Sequence, residues 1–177
     1  MCGWIGATEV ELNYLREQAK KHKKILEIGS WHGQTTRALA ENTSGIVYAI
    51  DTWNGSKDEK YVYDSSKLNN GDNAFMEFCR NNGNLIDKGK IIPIRMHSAN
   101  ANWVFDVLGI KFDMIFIDGD HTYEGVKSDI IGTRSLLQDG ALLCGHDYTN
   151  WAGVKQAVDE LIRDFIVNPS IWHTGDK

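Results

Sequence analysis

The sequence predicts an α/β protein built on a doubly wound, mostly parallel sheet of seven strands. Helices cover both faces, and an antiparallel hairpin closes the C-terminal edge. Three observations carry this expectation. Short apolar runs of strand length alternate with stretches of helical periodicity along most of the chain. Several of those runs end on an acidic or polar residue followed by glycine or a turn. The tail, Ile166 to His173, is split by Asn168-Pro169 into two short β-prone segments.

Each element has its own local reason. Thr8 to Lys24 places Leu12, Leu15 and Ala19 at helical spacing, and Thr8 with Glu11 has the form of a capping box. Ile25 to Ile28 is a buried strand stopped by Gly29, and Gln34 to Asn42 is a helix ended by Thr43-Ser44-Gly45. Ile46 to Ile50 is β-branched and runs into Asp51. Trp53 to Asn70 is polar and aromatic without a period, and reads as a mobile substrate lid. Asn73 to Asn81 is helical, Asn81-Asn82-Gly83-Asn84 a turn, and Lys90 to Arg95 a strand. A helix over Ala99 to Leu108 precedes a strand over Phe112 to Ile117, which ends on Asp118. Tyr123 to Leu137 is helical, Asp139-Gly140 a turn, Ala141 to Cys144 a strand, and Val154 to Phe165 a helix.

Length and composition bound what such a fold can do. The 177 residues make one domain, 1–177, with a core that needs neither disulfide nor structural metal. Nineteen Lys and Arg against 24 Asp and Glu leave a net charge of −5, which disfavours nucleic acid as a partner and favours a small-molecule substrate. No apolar run approaches the roughly 20 residues of a membrane helix, and nothing at the N-terminus resembles a signal peptide. Cys2, Cys79 and Cys144 are scattered and odd in number, as expected of reduced thiols in a cytoplasmic protein. The Lys20-Lys21 and Lys23-Lys24 run is a solvated helix end. Serine-hydrolase, zincin and P-loop motifs are missing. No feature fixes an oligomeric state.

In a doubly wound sheet, ligands sit at the carboxyl ends of the strands, so Glu27, Asp51, Ser98, Asp118 and His146-Asp147 converge on one site. Glu27-Ile28-Gly29-Ser30-Trp31-His32-Gly33 is an acid-x-Gly-x-x-x-Gly loop between strand and helix, whose glycines admit a ligand to the backbone. Asp51 follows Gly29 by 22 residues, the place of a carboxylate that accepts from both ribose hydroxyls. The plain alternative is a tight turn and a capping aspartate. Ser30-Trp31 stand where a dinucleotide loop needs its second glycine, and the acid Glu27 opposes a pyrophosphate. A nucleoside carrying an amino group and no phosphate fits better, as in S-adenosylmethionine.

With these residues in place, the sequence resembles the class I S-adenosylmethionine-dependent methyltransferases of Rossmann-like fold. It is most similar to small O-methyltransferase-like families with a G-D-H-S/T-Y segment. The matching residues are Glu27 to Gly33, Asp51, Phe112 to Tyr123, Leu136 to Gly140 and Gly145-His146-Asp147-Tyr148, within a likeness that spans Lys24 to Phe165. The resemblance implies that Glu27, Gly29 and Gly33 border the methionine portion of the cofactor, with Ser30 and Asp118 also in its site. Asp51 would bind the ribose, and Ser98, beside Met96 and His97, would flank adenine. Two departures stand out. Thr52 to Lys90 is long for the link between the second and third strands, and only one helix precedes the first strand. Substrate recognition therefore does not carry over.

The resemblance also implies a divalent cation, magnesium or manganese, at Asp118 and Asp147. Tyr148 stands where the related cation-dependent enzymes have an asparagine. Hard oxygen ligands suit magnesium, and a histidine shifts the preference towards manganese. The alternative is that Asp118 caps the next helix and His146 is a loop residue. His121 and His146 are the candidate catalytic bases. His22 and His173 read as surface residues, and His32 as either a ligand contact or a helix N-terminus. Trp31, Trp53, Tyr61, Tyr63 and Trp151 are stacking candidates, whereas Trp103 reads as core. The expected activity is methyl transfer from S-adenosylmethionine to a hydroxyl of a small molecule, a sugar among the candidates. Its competitors are a non-catalytic S-adenosylmethionine-binding protein and, against the glycine spacing, a nicotinamide-dependent dehydrogenase.

Overall fold

The computed structural model describes residues 6–55 and 72–175. The first helix, α1 (Glu9–Ala19), starts at the expected capping box: the Thr8 hydroxyl accepts from the Glu11 amide, and the Glu11 carboxylate accepts from the Thr8 amide at 2.7 Å. Then follow β1 (Lys24–Ile28), α2 (Gln34–Asn42), β2 (Ile46–Asp51), α3 (Asp72–Ile86), β3 (Ile91–Arg95), α4 (Ser98–Val107) and β4 (Phe112–Ile117). The chain continues through α5 (Tyr123–Thr133), a 3₁₀ turn (Arg134–Leu136), β5 (Leu137–Gly145), α6 (Ala152–Leu161), β6 (Phe165–Asn168) and β7 (Ile171–Thr174).

The seven strands form one sheet in the order β3-β2-β1-β4-β5-β7-β6. β1 pairs in parallel with β2 and β4, β3 with β2 and β5 with β4, while β7 runs antiparallel to both β5 and β6. This is the doubly wound sheet and C-terminal hairpin the sequence predicts. Strand alternation divides the core in two. Ile25, Val47, Ala49, Met114 and Phe116 pack with Leu15, Leu39 and Phe78 from α1, α2 and α3. Leu26, Ile28, Ile50, Ile115 and Ile117 pack with Phe105, Ile130 and Val158 from α4, α5 and α6.

Several expectations are corrected. Asn81-Asn82-Gly83-Asn84 is not a turn but part of α3, because Asn82 is buried and its amide donates to the Phe78 carbonyl. Asp139-Gly140 does not end an element: it lies within β5 at an irregularity in the pairing with β4, with Gly140 left-handed at φ +74°. The helix expected to reach Leu137 yields to the 3₁₀ turn after Thr133, and the last helix covers 152–161 rather than 154–165. Trp103 is 67% exposed on α4 and takes no part in the core. Trp53 is the converse. It is fully buried against Phe75 and Phe78, so it cannot stack on a ligand. Most of the expected lid, with Tyr61 and Tyr63, lies outside the described residues.

Candidate functional site

Backbone hydrogen bonds bring five strand ends to one level. The Gly29 amide donates to Ile50, the Asp118 amide to Ile28, the His146 amide to Ile117 and the Met96 amide to Asp51. Gly29 lies so close to β4 that a Cβ on it would sit 2.0 Å from the Asp118 carbonyl oxygen, and its φ of +88° is itself a glycine conformation. Gly33 is equally confined from the other side, where a Cβ would meet the Asn82 amide at 2.0 Å. Thus α3, from the long β2–β3 connection, forms the back wall of the glycine loop.

Alternation turns Glu27 to the Ile25 face, where it is fully buried. One carboxylate oxygen accepts from the Ser30 hydroxyl at 2.8 Å and from the Thr36 hydroxyl, while Oε1 has no hydrogen-bond partner. Burial pushes its carboxyl up to about 7, against the lowering effect of the surrounding hydroxyls. Ser30 turns its hydroxyl inward, so this side chain supports Glu27.

Asp51 fixes the rest of the loop. Its Oδ2 accepts from the Trp31 amide at 2.8 Å and its Oδ1 from the Trp53 amide at 2.7 Å. The Trp53 indole then donates to the Trp31 carbonyl at 2.6 Å. Both tryptophans are left-handed, with φ of 44° and 54°, a conformation that costs about 1–3 kcal/mol and persists only where its surroundings enforce it. Asp51 and Trp53 enforce it here. Burial raises the Asp51 carboxyl above its ordinary range, against these amides. The Ser30 and Thr52 amides bear on the same carboxylate, so ribose hydroxyls would share its roughly four acceptor positions with the loop backbone. Ser98, at the start of α4, donates to buried Asp129 at 2.6 Å and remains half-buried. His32 stacks on Trp31, and His22 and His173 are half-buried rather than fully on the surface.

Beyond β4 and β5 lies a compact ionic cluster. The His121 Nε2 is 3.0 Å from Asp147 and 3.8 Å from Asp118; the His146 Nδ1 is 3.4 Å from Asp147 and 3.5 Å from Asp118. Burial alone would lower both imidazoles, but the two carboxylates outweigh it and hold His121 up at about 10 and His146 at about 11. Asp147 is correspondingly held below the ordinary carboxylate range, the histidines overcoming its burial. Asp118 does not cap α5, since that role belongs to Thr122. Tyr148 turns away to donate to Asp159 at 2.7 Å.

Three contributors to this cluster were not singled out for it by sequence reasoning. The Asn150 amide donates to Asp147 at 2.7 Å, which steadies that left-handed residue (φ 64°). Trp151 stacks on His121 with ring centroids 4.9 Å apart and 12° between planes. Glu11, from α1, places Oε1 3.2 Å from the His146 Nε2. The capping-box pattern was the one signal that marked Glu11, and it marked only the helix start.

One ligand atom each from Asp118, His121 and Asp147 lies within 4.8 Å of the other two, a spacing that one cation can span. Deeper in the fold, the unpartnered Glu27 Oε1 and the glycine-lined loop fit a cationic amino acid moiety better than a diphosphate. Together, the fold and this edge define a class I, Rossmann-like methyltransferase architecture.

The chain belongs to the methyltransferase-domain family, whose model matches residues 26–148. No curated protein matches it by sequence. Solved structures similar to it include an O-methyltransferase from Bacillus cereus in complex with SAH, at 15% identity and a TM-score of 0.66 over 88% of this chain and 68% of that one. The O-methyltransferase NovP gives 15% identity and 0.64 over 94% and 79%. A TDP-rhamnose 3′-O-methyltransferase of calicheamicin biosynthesis gives 12% and 0.64 over 92% and 76%. At these identities the structural likeness establishes the fold. Among the described residues, no helix is long and apolar enough to cross a membrane.

Proposed function

We propose that this protein transfers the methyl group of S-adenosylmethionine to a hydroxyl of a small molecule, a sugar among the candidates. The observation that carries the reading is the joining of two sites at one sheet edge. The Glu27–Gly33 loop and Asp51 lie on β1 and β2, and the Asp118, His121, His146 and Asp147 cluster begins where Gly29 touches Asp118. The cofactor supplies an electrophilic methyl on a sulfonium. Glu27 faces its amino group, Asp51 accepts from the ribose, and Ser98 flanks the base. The solved Bacillus cereus and calicheamicin enzymes support the reading, the first as a complex with SAH and the second as a sugar O-methyltransferase.

The acceptor hydroxyl sits at the ionic cluster. As its oxygen attacks in line, the S–CH₃ bond breaks, the O–CH₃ bond forms and the hydroxyl proton passes to the protein. A divalent cation bound there would lower the pKa of the hydroxyl. Asp118 and Asp147, with His121 beside them, would hold it. With the carboxylates so engaged, His146 would be the base that takes the hydroxyl proton at Nδ1. A metal-free version has its own support, since the two imidazoles already neutralise Asp118 and Asp147; there a histidine hands its shared proton to a carboxylate as it takes the hydroxyl proton. Methyl transfer to a panel of hydroxylated compounds, with and without EDTA, tests both. Activity that EDTA removes and magnesium or manganese restores supports the cation. Activity indifferent to EDTA and lost in His121→Ala or His146→Ala supports the metal-free version. Activity that survives EDTA and the double alanine change makes the cluster structural, and cofactor binding without any transfer makes the protein a non-catalytic binder.

A further inference from the structure

α1 precedes the region that carries the family match, yet it reaches the ionic cluster. Glu11 is 3% exposed, and its two oxygens have separate duties. Oε2 accepts from the Thr8 amide and hydroxyl, each at 2.7 Å, and closes the capping box. Oε1 lies 3.2 Å from the His146 Nε2 as an ion pair, and that buried nitrogen has no hydrogen-bond partner among the described residues. The other ring nitrogen, Nδ1, faces Asp118 and Asp147. A capping box needs only one carboxylate oxygen, so the approach of the second to an imidazole is not a requirement of helix initiation.

We propose that Glu11 is a positioning residue for His146: it holds the ring through Nε2 and so directs Nδ1 at the acceptor hydroxyl. This rests on the functional reading above. The physical logic is that of a buried carboxylate behind a histidine, which fixes ring orientation and the nitrogen that carries the proton. Two further contacts seat α1 for this duty. Tyr14, one turn on, packs its ring on His173 of β7 at 5.0 Å, and Leu12 and Leu15 are buried. β7 is the strand that pairs with β5 at Cys144 and Gly145, immediately before His146. α1 and the histidine are therefore referred to the same part of the sheet.

The test compares Glu11→Ala, Glu11→Gln and Thr8→Ala with the parent protein. The first readout needs no activity: nitrogen-15 NMR of the histidine rings, with His146 assigned by its loss in His146→Ala. The parent should show a slowly exchanging Nε2 proton, whose signal shifts in Glu11→Gln and exchanges freely in Glu11→Ala. The second readout is steady-state methyl transfer. Glu11→Ala should lower kcat about 10- to 100-fold with KM for S-adenosylmethionine unchanged, and Glu11→Gln, which keeps an acceptor oxygen, should recover part of the loss. Thr8→Ala removes the cap hydroxyl alone and should lower Tm by roughly 2–4 °C at unchanged kcat. A His146 ring signal indifferent to Glu11→Gln overturns the proposal, as does an equal kcat loss in Thr8→Ala and Glu11→Ala. An inactive parent protein overturns the functional reading instead, and the NMR comparison then still decides whether Glu11 holds the ring.

Discussion

Replacing Glu27 with glutamine isolates the charge of one buried carboxyl at the heart of the proposed cofactor site. In the folded protein this group titrates near 7, against an ordinary value of 4.5. Between those values the folded state keeps a proton that the unfolded chain has released, so stability is present in full at low pH and falls as pH rises through the window. The span from 4.5 to about 7, at about 1.4 kcal/mol per pH unit, makes about 3 kcal/mol. Urea unfolding at pH 4.5, 6 and 7.5 should therefore show Glu27→Gln gaining about 3 kcal/mol on the parent across that range. Cofactor binding reverses the balance, because a cationic amino group next to Oε1 favours the ionised carboxylate. Calorimetry near pH 6.5, in buffers of different ionisation heat, should register proton release with S-adenosylmethionine, and affinity should rise with pH up to about 7. Glu27→Gln should bind more weakly and release no proton. A stability difference that does not vary with pH would show that the carboxyl is not held neutral by burial. Equal proton release in both proteins would place the amino group elsewhere.

Asp51→Ala should act on loop and ligand together: it removes the acceptor of the Trp31 and Trp53 amides, so thermal unfolding should show a loss of about 2–4 kcal/mol. Cofactor affinity, read by calorimetry, should fall by about 2–4 kcal/mol, roughly 30- to 1,000-fold, and a variant with unchanged Tm and affinity would reject both roles. Gly29→Ala combines a forbidden φ with a backbone clash at 2.0 Å and should cost about 2–6 kcal/mol in chemical denaturation. Gly89→Ala is its control, left-handed at φ +68° with open space around it, and should cost only about 1 kcal/mol; equal losses would deny the close approach of Gly29 to Asp118.

Where the chain makes its own local argument, the sequence is a sufficient guide. Phe112–Ile117 is apolar but for Asp113, whose carboxylate accepts from the Lys23 and Lys24 amides, and it stops at Asp118, while Gln34–Asn42 lies between a left-handed glycine and a polar stop. Both elements are legible to the residue. The carboxyl-edge rule likewise gathers Glu27, Asp51, Asp118, His146 and Asp147 before any coordinates are known. Tertiary packing defeats local signals elsewhere. Asn81 to Asn84 carry turn chemistry, yet the helix runs on because Asn82 and Phe78 must back Gly33. Trp53 looks like a ligand-stacking residue, and its actual duty, holding the Trp31 carbonyl, depends on a contact across 22 positions. Glu11 is hidden for the same reason: its short-range pairing with Thr8 is a sequence pattern, but its approach to His146 exists only once α1 has docked.

Titration of the purified protein with S-adenosylmethionine and, separately, with NAD by isothermal calorimetry tests the central claim most directly. The account predicts saturable binding of S-adenosylmethionine that Asp51→Ala weakens, and no heat with NAD. Saturable binding of NAD with no response to S-adenosylmethionine would contradict it.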